Sequence, residues 1–196
     1  MRTPGTAKLV HSFSVEAFGG DVVELADLNG DGQLEMLMLQ HAGQFAADVY
    51  PPRDDVDEVD RNLYCLTAVT LNGDVLWQDG EPYDRDFPFT SHGVQGGGLM
   101  LRAGDVNADG KAEVIVGRHG QLAMLDAATG TLKKTVDLPA DNFVNGELVQ
   151  FEAPENGMQI VSKVNDRAYK PWEYANPLVI YNADLSVYKE PFPIPG

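Results

Sequence analysis

Short apolar runs separated by turn-forming residues recur along most of the chain. No segment keeps the 3.6-residue helical spacing of apolar positions for long, whereas short apolar runs bounded by Gly, Asn, Asp and Pro are typical of β-strands. One of these boundaries is Asn72-Gly73, and Asn-Gly between two β-rich runs is the strongest short-range signal for a hairpin. The pattern therefore predicts an all-β chain.

A group of four predicted strands occurs twice in the same order. The first group, within residues 20–80, contains VVELAD, LEMLMLQ, NLYCLTAVT and DVLWQD. The second, within 96–140, contains GLMLRAGD, AEVIVGR, QLAMLDA and TLKKTVDL. A third and more divergent group spans 145–192, with GELVQFEA, MQIVSKV, PLVIYNA and SVYKEP. The run KLVHSFSV at 8–15 predicts one extra strand from an adjoining unit.

Repeated four-stranded antiparallel units indicate the blades of a β-propeller, in which each blade buries its faces against its neighbours. Propellers close with about 4 to 8 blades, whereas residues 1–196 supply about three blades and one strand. The sequence therefore predicts a segment of a propeller that further blades of a longer protein complete. A second copy of the chain, or an open arc of blades, is the alternative.

The first two units carry the same loop between their first and second strands. It reads DLNGDGQLE at 27–35 and DVNADGKAE at 105–113. Alternate side chains of a tight loop converge on one point, and Ca²⁺ prefers a cage of oxygen ligands of this kind. The spacing therefore predicts two Ca²⁺ sites. The ligands of the first are Asp27, Asn29, Asp31, Glu35 and the backbone carbonyl of Gln33. Those of the second are Asp105, Asn107, Asp109, Glu113 and the backbone carbonyl of Lys111.

Three alternatives bear on this loop. An EF-hand is excluded because its twelfth position needs a bidentate Glu, and this chain has Met38 and Val116 there. Magnesium is less favoured because it keeps several waters rather than accepting a protein cage. Asp, Asn and Gly also favour ordinary turns, although two copies at equivalent places weaken that explanation. The third unit has Pro154 and Asn156 at this point and lacks the ligands.

Charge and composition limit the partners. The 14 basic and 30 acidic side chains give a formal net charge of -16, which disfavours nucleic acid and anionic membrane surfaces. Two divalent ions would add four positive charges. No apolar run is long enough to span a membrane, so no membrane insertion is expected. The single Cys65 excludes an intrachain disulfide, and the N-terminus lacks the apolar core of a signal peptide.

The D-x-N-x-D-G-x-x-E loop that leads into an apolar strand resembles the FG-GAP and VCBS repeats of extracellular calcium-binding propellers. The segments ELADLNGDGQLEMLML, LTAVTLNGDVLWQ and RAGDVNADGKAEVIVG are similar to the calcium-bearing propeller of bacterial rhamnogalacturonan lyases, which cleave pectin by β-elimination. The resemblance implies a secreted or cell-surface protein, with a polysaccharide or protein ligand and a leader peptide that this chain does not include.

A uronate lyase needs a base, an acid and a cation that stabilises the developing negative charge. EPYDRDFPFTSHG and GRHG offer suitable side chains, and YKPWEYANP offers rings that could stack on sugars. The candidate substrate-binding residues are Tyr83, Arg85, His92, Arg118, His119, Trp172 and Tyr174. Trp77 is predicted to pack in the core instead. The predicted function is a calcium-stabilised segment that binds or processes polysaccharide, and the alternative is a non-catalytic adhesion or structural module.

Overall fold

The structure is a computed structural model. It describes residues 8–9, 11–15, 17–18, 22–41, 64–82, 100–118, 121–138, 142–165 and 177–193. These residues form twelve strands and one short 3-10 helix, Pro154–Asn156. Among them, no helix has the length and apolar character needed to cross a membrane.

The strands form three four-stranded sheets, and within each sheet neighbours in sequence pair antiparallel. The first sheet contains β1 (Val22–Ala26), β2 (Glu35–His41), β3 (Tyr64–Thr70) and β4 (Val75–Gly80). The second contains β5 (Leu101–Gly104), β6 (Glu113–Arg118), β7 (Gln121–Asp126) and β8 (Leu132–Asp137). The third contains β9 (Asn142–Val149), β10 (Gln159–Asn165), β11 (Pro177–Tyr181) and β12 (Val187–Pro193). The prediction of an all-β chain with three four-stranded antiparallel sheets is confirmed.

The three sheets stack face to face, with the second sheet in the middle. In β6, Val114 and Val116 pack toward the first sheet, and Ile115 packs toward the third. Successive side chains of a strand point to opposite faces, so a strand covered on both sides needs an uninterrupted apolar run. Each sheet meets its neighbour through its first strand, because β5 contacts both β1 and β9. The described residues form this stack without closing a ring, so the propeller stays a prediction.

Polar contacts join the sheets at their edges. The indole N–H of Trp77 in β4 donates to the backbone carbonyl of Ala127, at 2.8 Å. The ring also packs against the core between the first two sheets, which confirms the prediction that Trp77 is a packing residue. Between the second and third sheets, Arg102 makes two hydrogen bonds to the carboxylate of Glu147, at 2.6 and 3.0 Å.

The described residues of the predicted strand at 8–15 form no strand among the described sheets, and the adjoining blade to which the prediction assigned them stays a prediction. Phe13 and Phe18 instead pack against Met38 and Val69 on the outer face of the first sheet. The two rings lie edge to face, with 6.2 Å between their centroids. An apolar pattern reports which side chains are buried. Here that burial comes from aromatic rings on the face of a sheet, and it requires no backbone pairing.

Candidate metal centre

The two predicted calcium loops occupy equivalent places, between β1 and β2 and between β5 and β6. Their backbones also agree. The sixth positions, Gly32 and Gly110, both have φ of 84°. The fourth positions, Gly30 and Ala108, have φ of 78° and 61°. Because this left-handed region is unfavourable for residues with a Cβ, Ala108 shows that the second loop keeps the bend even without glycine.

Asp27 organises the first loop by accepting backbone hydrogen bonds. Its Oδ1 accepts the N–H groups of Gly30 and Asp31, at 2.7 and 3.1 Å, and its Oδ2 accepts that of Gly32, at 2.9 Å. The side chain of Asn29 accepts the N–H of Asp31 through Oδ1, at 2.8 Å. Three successive N–H groups therefore point inward, toward the side-chain oxygens at alternate positions.

The second loop has nearly the same hydrogen bonds. Asp105 accepts the N–H groups of Asp109 and Gly110, both at 3.0 Å. Asn107 accepts the N–H of Asp109 at 2.9 Å, and Asp109 accepts that of Lys111 at 2.9 Å. The last of these bonds is the main cause that lowers the pKa of Asp109. The two loops therefore share one fold, which supports treating them as the same kind of site.

A buried glutamate closes each loop at the first residue of the following strand. Glu35 is 4% exposed, and its Oε2 accepts the N–H of Leu28 at 2.8 Å. Glu113 is 0% exposed, and its Oε2 accepts the N–H of Val106 at 3.0 Å. In each case the other oxygen, Oε1, faces the centre of the loop. The glutamate therefore anchors the loop to the sheet and contributes a negative charge to its interior.

The asparagine amide lies between two carboxylates in both loops. In the first loop, Asn29 Nδ2 is 3.3 Å from Asp31 Oδ2 and 3.5 Å from Glu35 Oε1. In the second loop, Asn107 Nδ2 is 3.1 Å from Asp109 Oδ2 and 3.0 Å from Glu113 Oε1. The partly positive amide NH₂ thus occupies the place where the carboxylates converge. The asparagine oxygen, predicted as a ligand, would face the centre only after the amide rotates.

The third sheet provides an internal comparison, because its loop between β9 and β10 has no such acidic set. Gln159 takes the place of the glutamate, is 1% exposed, and accepts the N–H of Phe151 through Oε1 at 2.9 Å. Gln150 takes the place of the first aspartate and donates to the carbonyl of Gly157, at 2.8 Å. Neutral amides therefore suffice to anchor a loop at this position. Anchoring alone therefore does not explain the negative charge of the carboxylates in the first two loops.

The fit of a cation can be judged from the oxygens that remain. A carboxylate oxygen has two lone pairs, and Asp27 Oδ2 and Glu35 Oε2 each accept one backbone N–H. Each can therefore still coordinate an ion, and a set of carboxylate and carbonyl oxygens suits Ca²⁺. Within the described ranges, no three His, Cys, Asp or Glu side chains are already arranged as a metal site, so an ion would have to draw the carboxylates together. The carbonyls of Gln33 and Lys111 stay predicted ligands.

One residue at the second loop was not foreseen from the sequence. Lys133, in β8, donates from Nζ to Glu113 Oε1 at 2.8 Å and lies 3.8 Å from Asp126 Oδ2. The hydrogen bond to Glu113 raises the pKa of Lys133. In the part of the chain that the structure describes, no basic side chain contacts Glu35. An alignment of the second unit on the first would have revealed the difference, because Leu76 stands where Lys133 does.

Of the seven candidate substrate-binding residues, only Arg118 lies within the described residues. It ends β6, donates to the carboxylate of Asp79 in β4, and stands 5.4 Å above the ring centroid of Tyr64. Burial raises the pKa of Tyr64. Arg118 thus joins the first and second sheets, and its charge is already paired. Lying outside the described residues are Tyr83, Arg85, His92, His119, Trp172 and Tyr174.

Comparison of the chain with protein-family models, with curated proteins and with solved structures found no match. The candidate site consists of two acidic loops of the same shape, each closed by a buried glutamate, whereas the third loop at the same position is anchored by the neutral side chains of Gln150 and Gln159. Oxygen-rich loops of this kind are suited to binding a hard cation.

Proposed function

We propose that the chain is a calcium-stabilised segment of an extracellular β-propeller. In this proposal the three sheets are consecutive blades, and a Ca²⁺ ion in each acidic loop braces the first two. One observation carries the proposal. The glutamate position needs only a hydrogen-bond acceptor, as Gln159 demonstrates, yet it is a carboxylate in both loops that also have the Asp-x-Asn-x-Asp pattern.

Electrostatics supports a bound cation. Each loop gathers three carboxylates around one centre, and burial of a charge is unfavourable unless a partner compensates it. In the described residues around the first loop, Glu35 receives hydrogen bonds only from neutral groups, Leu28 N–H and the Asn29 amide. A divalent ion would supply the missing positive charge. It would also join the end of one strand to the start of the next, so binding would stabilise the folded sheet.

The magnitude of that stabilisation depends on calcium concentration. A ligand that binds only the folded state stabilises it by about 2.7 kcal/mol per site at a hundredfold excess over its Kd. Calcium sites of extracellular modules have Kd values of about 10⁻⁴ to 10⁻³ M. The proposed ions would therefore act in a calcium-rich exterior, which agrees with the expected secreted or cell-surface location. Further blades or a second copy would complete the ring.

Thermal unfolding of the full chain in calcium and in chelator tests the calcium proposal. The matched variant is the double substitution Glu35→Gln and Glu113→Gln, which follows the natural example of Gln159. We expect calcium to raise the midpoint of the wild-type protein and to have little effect on the variant. Equal midpoints for the wild type in calcium and in chelator would reject the proposal.

Polysaccharide binding or processing is the second part of the proposal, and it rests on the resemblance of the loops and flanking strands to those of rhamnogalacturonan lyases. A direct test is incubation of the protein with rhamnogalacturonan and other uronate polymers in calcium. The lyase hypothesis predicts rising ultraviolet absorbance from an unsaturated uronate product. If the absorbance is constant but the protein is retained on the immobilised polymer, the non-catalytic module is favoured.

A further inference from the structure

The two acidic loops differ at one position of the neighbouring strand. In β4 the pairing with β3 skips Leu76, which is the extra residue of a β-bulge, and in β8 the pairing with β7 skips Lys133 in the same way. The two residues are therefore structurally equivalent. Bulges re-aim a side chain relative to a regular strand, and this one brings the position close to the loop.

The chemical consequence is a cation at one loop and an apolar side chain at the other. Lys133 donates to Glu113 Oε1, the oxygen that also receives the Asn107 amide. Its second acidic neighbour, Asp126, lies opposite Glu113 in β7, where the first sheet has Thr70 opposite Glu35. The second sheet therefore supplies both an ammonium group and an extra carboxylate beside its loop.

The ammonium acts directly on the loop, because Lys133 holds Glu113 Oε1, an oxygen of a predicted calcium ligand. At the first loop, Leu76 is 42% exposed and carries no charge. A divalent ion entering the first loop meets no resident cation among the described residues.

We propose that the two loops are unequal calcium sites, and that Lys133 is a built-in counter-cation which Ca²⁺ must displace from the second loop. This inference rests on the calcium function proposed above. An entering ion has to replace a charge-assisted hydrogen bond to Glu113, and it is repelled by the ammonium nearby. Such hydrogen bonds are strong enough to change an equilibrium constant by about tenfold to a hundredfold. We expect the second loop to be weaker by at least about tenfold.

Calorimetric titration of the full chain with CaCl₂ tests this proposal. The wild type should show two unequal binding events, with the stronger removed by Glu35→Gln and the weaker by Glu113→Gln. Lys133→Leu, which copies the first sheet, should strengthen the weaker event about tenfold and leave the other unchanged. Leu76→Lys should weaken the stronger event. Circular dichroism of each variant in chelator shows whether the β-structure is retained.

Lys111→Met is the matched control. It removes one positive charge from the same loop but leaves the hydrogen bond between Lys133 and Glu113, so it should change the weaker event less than Lys133→Leu does. Two events that Lys133→Leu does not alter would overturn the inference while leaving the calcium function intact. A larger effect of Lys111→Met would also overturn it, because general charge would then explain the difference. An absence of calcium binding in every variant would reject both proposals.

Discussion

Replacement of Glu35 by Gln removes one buried negative charge and keeps the hydrogen bond that anchors the first loop. The Gln carbonyl can accept the N–H of Leu28 as the carboxylate does at 2.8 Å, and Gln159 shows that the fold accepts Gln at this position. We therefore expect Glu35→Gln to be more stable than the wild type in chelator. In saturating calcium the order should reverse, because only the wild type retains the full ligand set.

The geometry of the first loop sets the magnitude. One amide nitrogen of Asn29 lies 3.3 Å from Asp31 Oδ2 and 3.5 Å from Glu35 Oε1, so these two oxygens are at most about 6.8 Å apart. At that separation the repulsion is about 0.6 kcal/mol in bulk water and about 2.4 kcal/mol at an effective dielectric constant of 20. The side-chain NH₂ of the introduced Gln would face the NH₂ of Asn29, and this donor–donor contact would cancel part of the stabilisation. A net stabilisation of about 1 kcal/mol is expected.

Urea unfolding in chelator and in calcium measures this prediction. Glu113→Gln is the control, because it removes the carboxylate that holds Lys133 at 2.8 Å. Loss of a hydrogen bond between charged groups costs about 1.5 to 3 kcal/mol, so this variant should be less stable in chelator. If Glu35→Gln destabilises the protein equally with and without calcium, Glu35 is a purely structural residue and the electrostatic argument fails.

Three further predictions concern the backbone, the sheet interfaces and pH. Gly30→Ala should lower the free energy of unfolding by about 1 kcal/mol, and the thermal midpoint slightly, because Gly30 has φ of 78°. The cost should be backbone strain alone, since an added Cβ would meet no atom within 4 Å. Trp77→Phe loses the bond to Ala127 and should cost about 1 to 3 kcal/mol in urea unfolding. The hydrogen bond from Arg102 lowers the pKa of Glu147. The stability that this ion pair contributes is therefore complete above the ordinary pKa of 4.5 and is lost as the pH falls through the lowered pKa of Glu147. Glu147→Gln should therefore reduce the loss of thermal stability in acid, and an unchanged acid profile would contradict this.

The strands were predictable because each sheet is covered by side chains of the neighbouring sheet. The run of β6, for example, is apolar on both faces, with Val114 and Ile115 buried in opposite cores, and such a run between turn signals is visible without any long-range information. The segment 8–15 also carries apolar residues, but it buries Phe13 on the face of a sheet. The sequence pattern alone cannot distinguish these two kinds of burial.

The acidic loops were predictable because their side chains are local in sequence. The residues of other strands that contact the candidate site residues were not predictable. Lys133 in β8 reaches Glu113 in β6 across the intervening strand β7 and through a bulge, and no spacing rule within the loop specifies such a contact. Arg118 similarly acquires its partner Asp79 only when the first and second sheets stack. Residues selected for their chemical type alone can therefore be packing residues, whereas a lysine in an ordinary strand can influence the site.

A crystal structure of the full chain grown in millimolar calcium tests the central claim most directly. The account predicts density for an ion in the first loop, coordinated at about 2.3 to 2.6 Å by oxygens of Asp27, Asn29, Asp31 and Glu35, with the Asn29 amide rotated to present its carbonyl. It would be contradicted by a loop without an ion in which the Asn29 amide nitrogen still lies between the carboxylates.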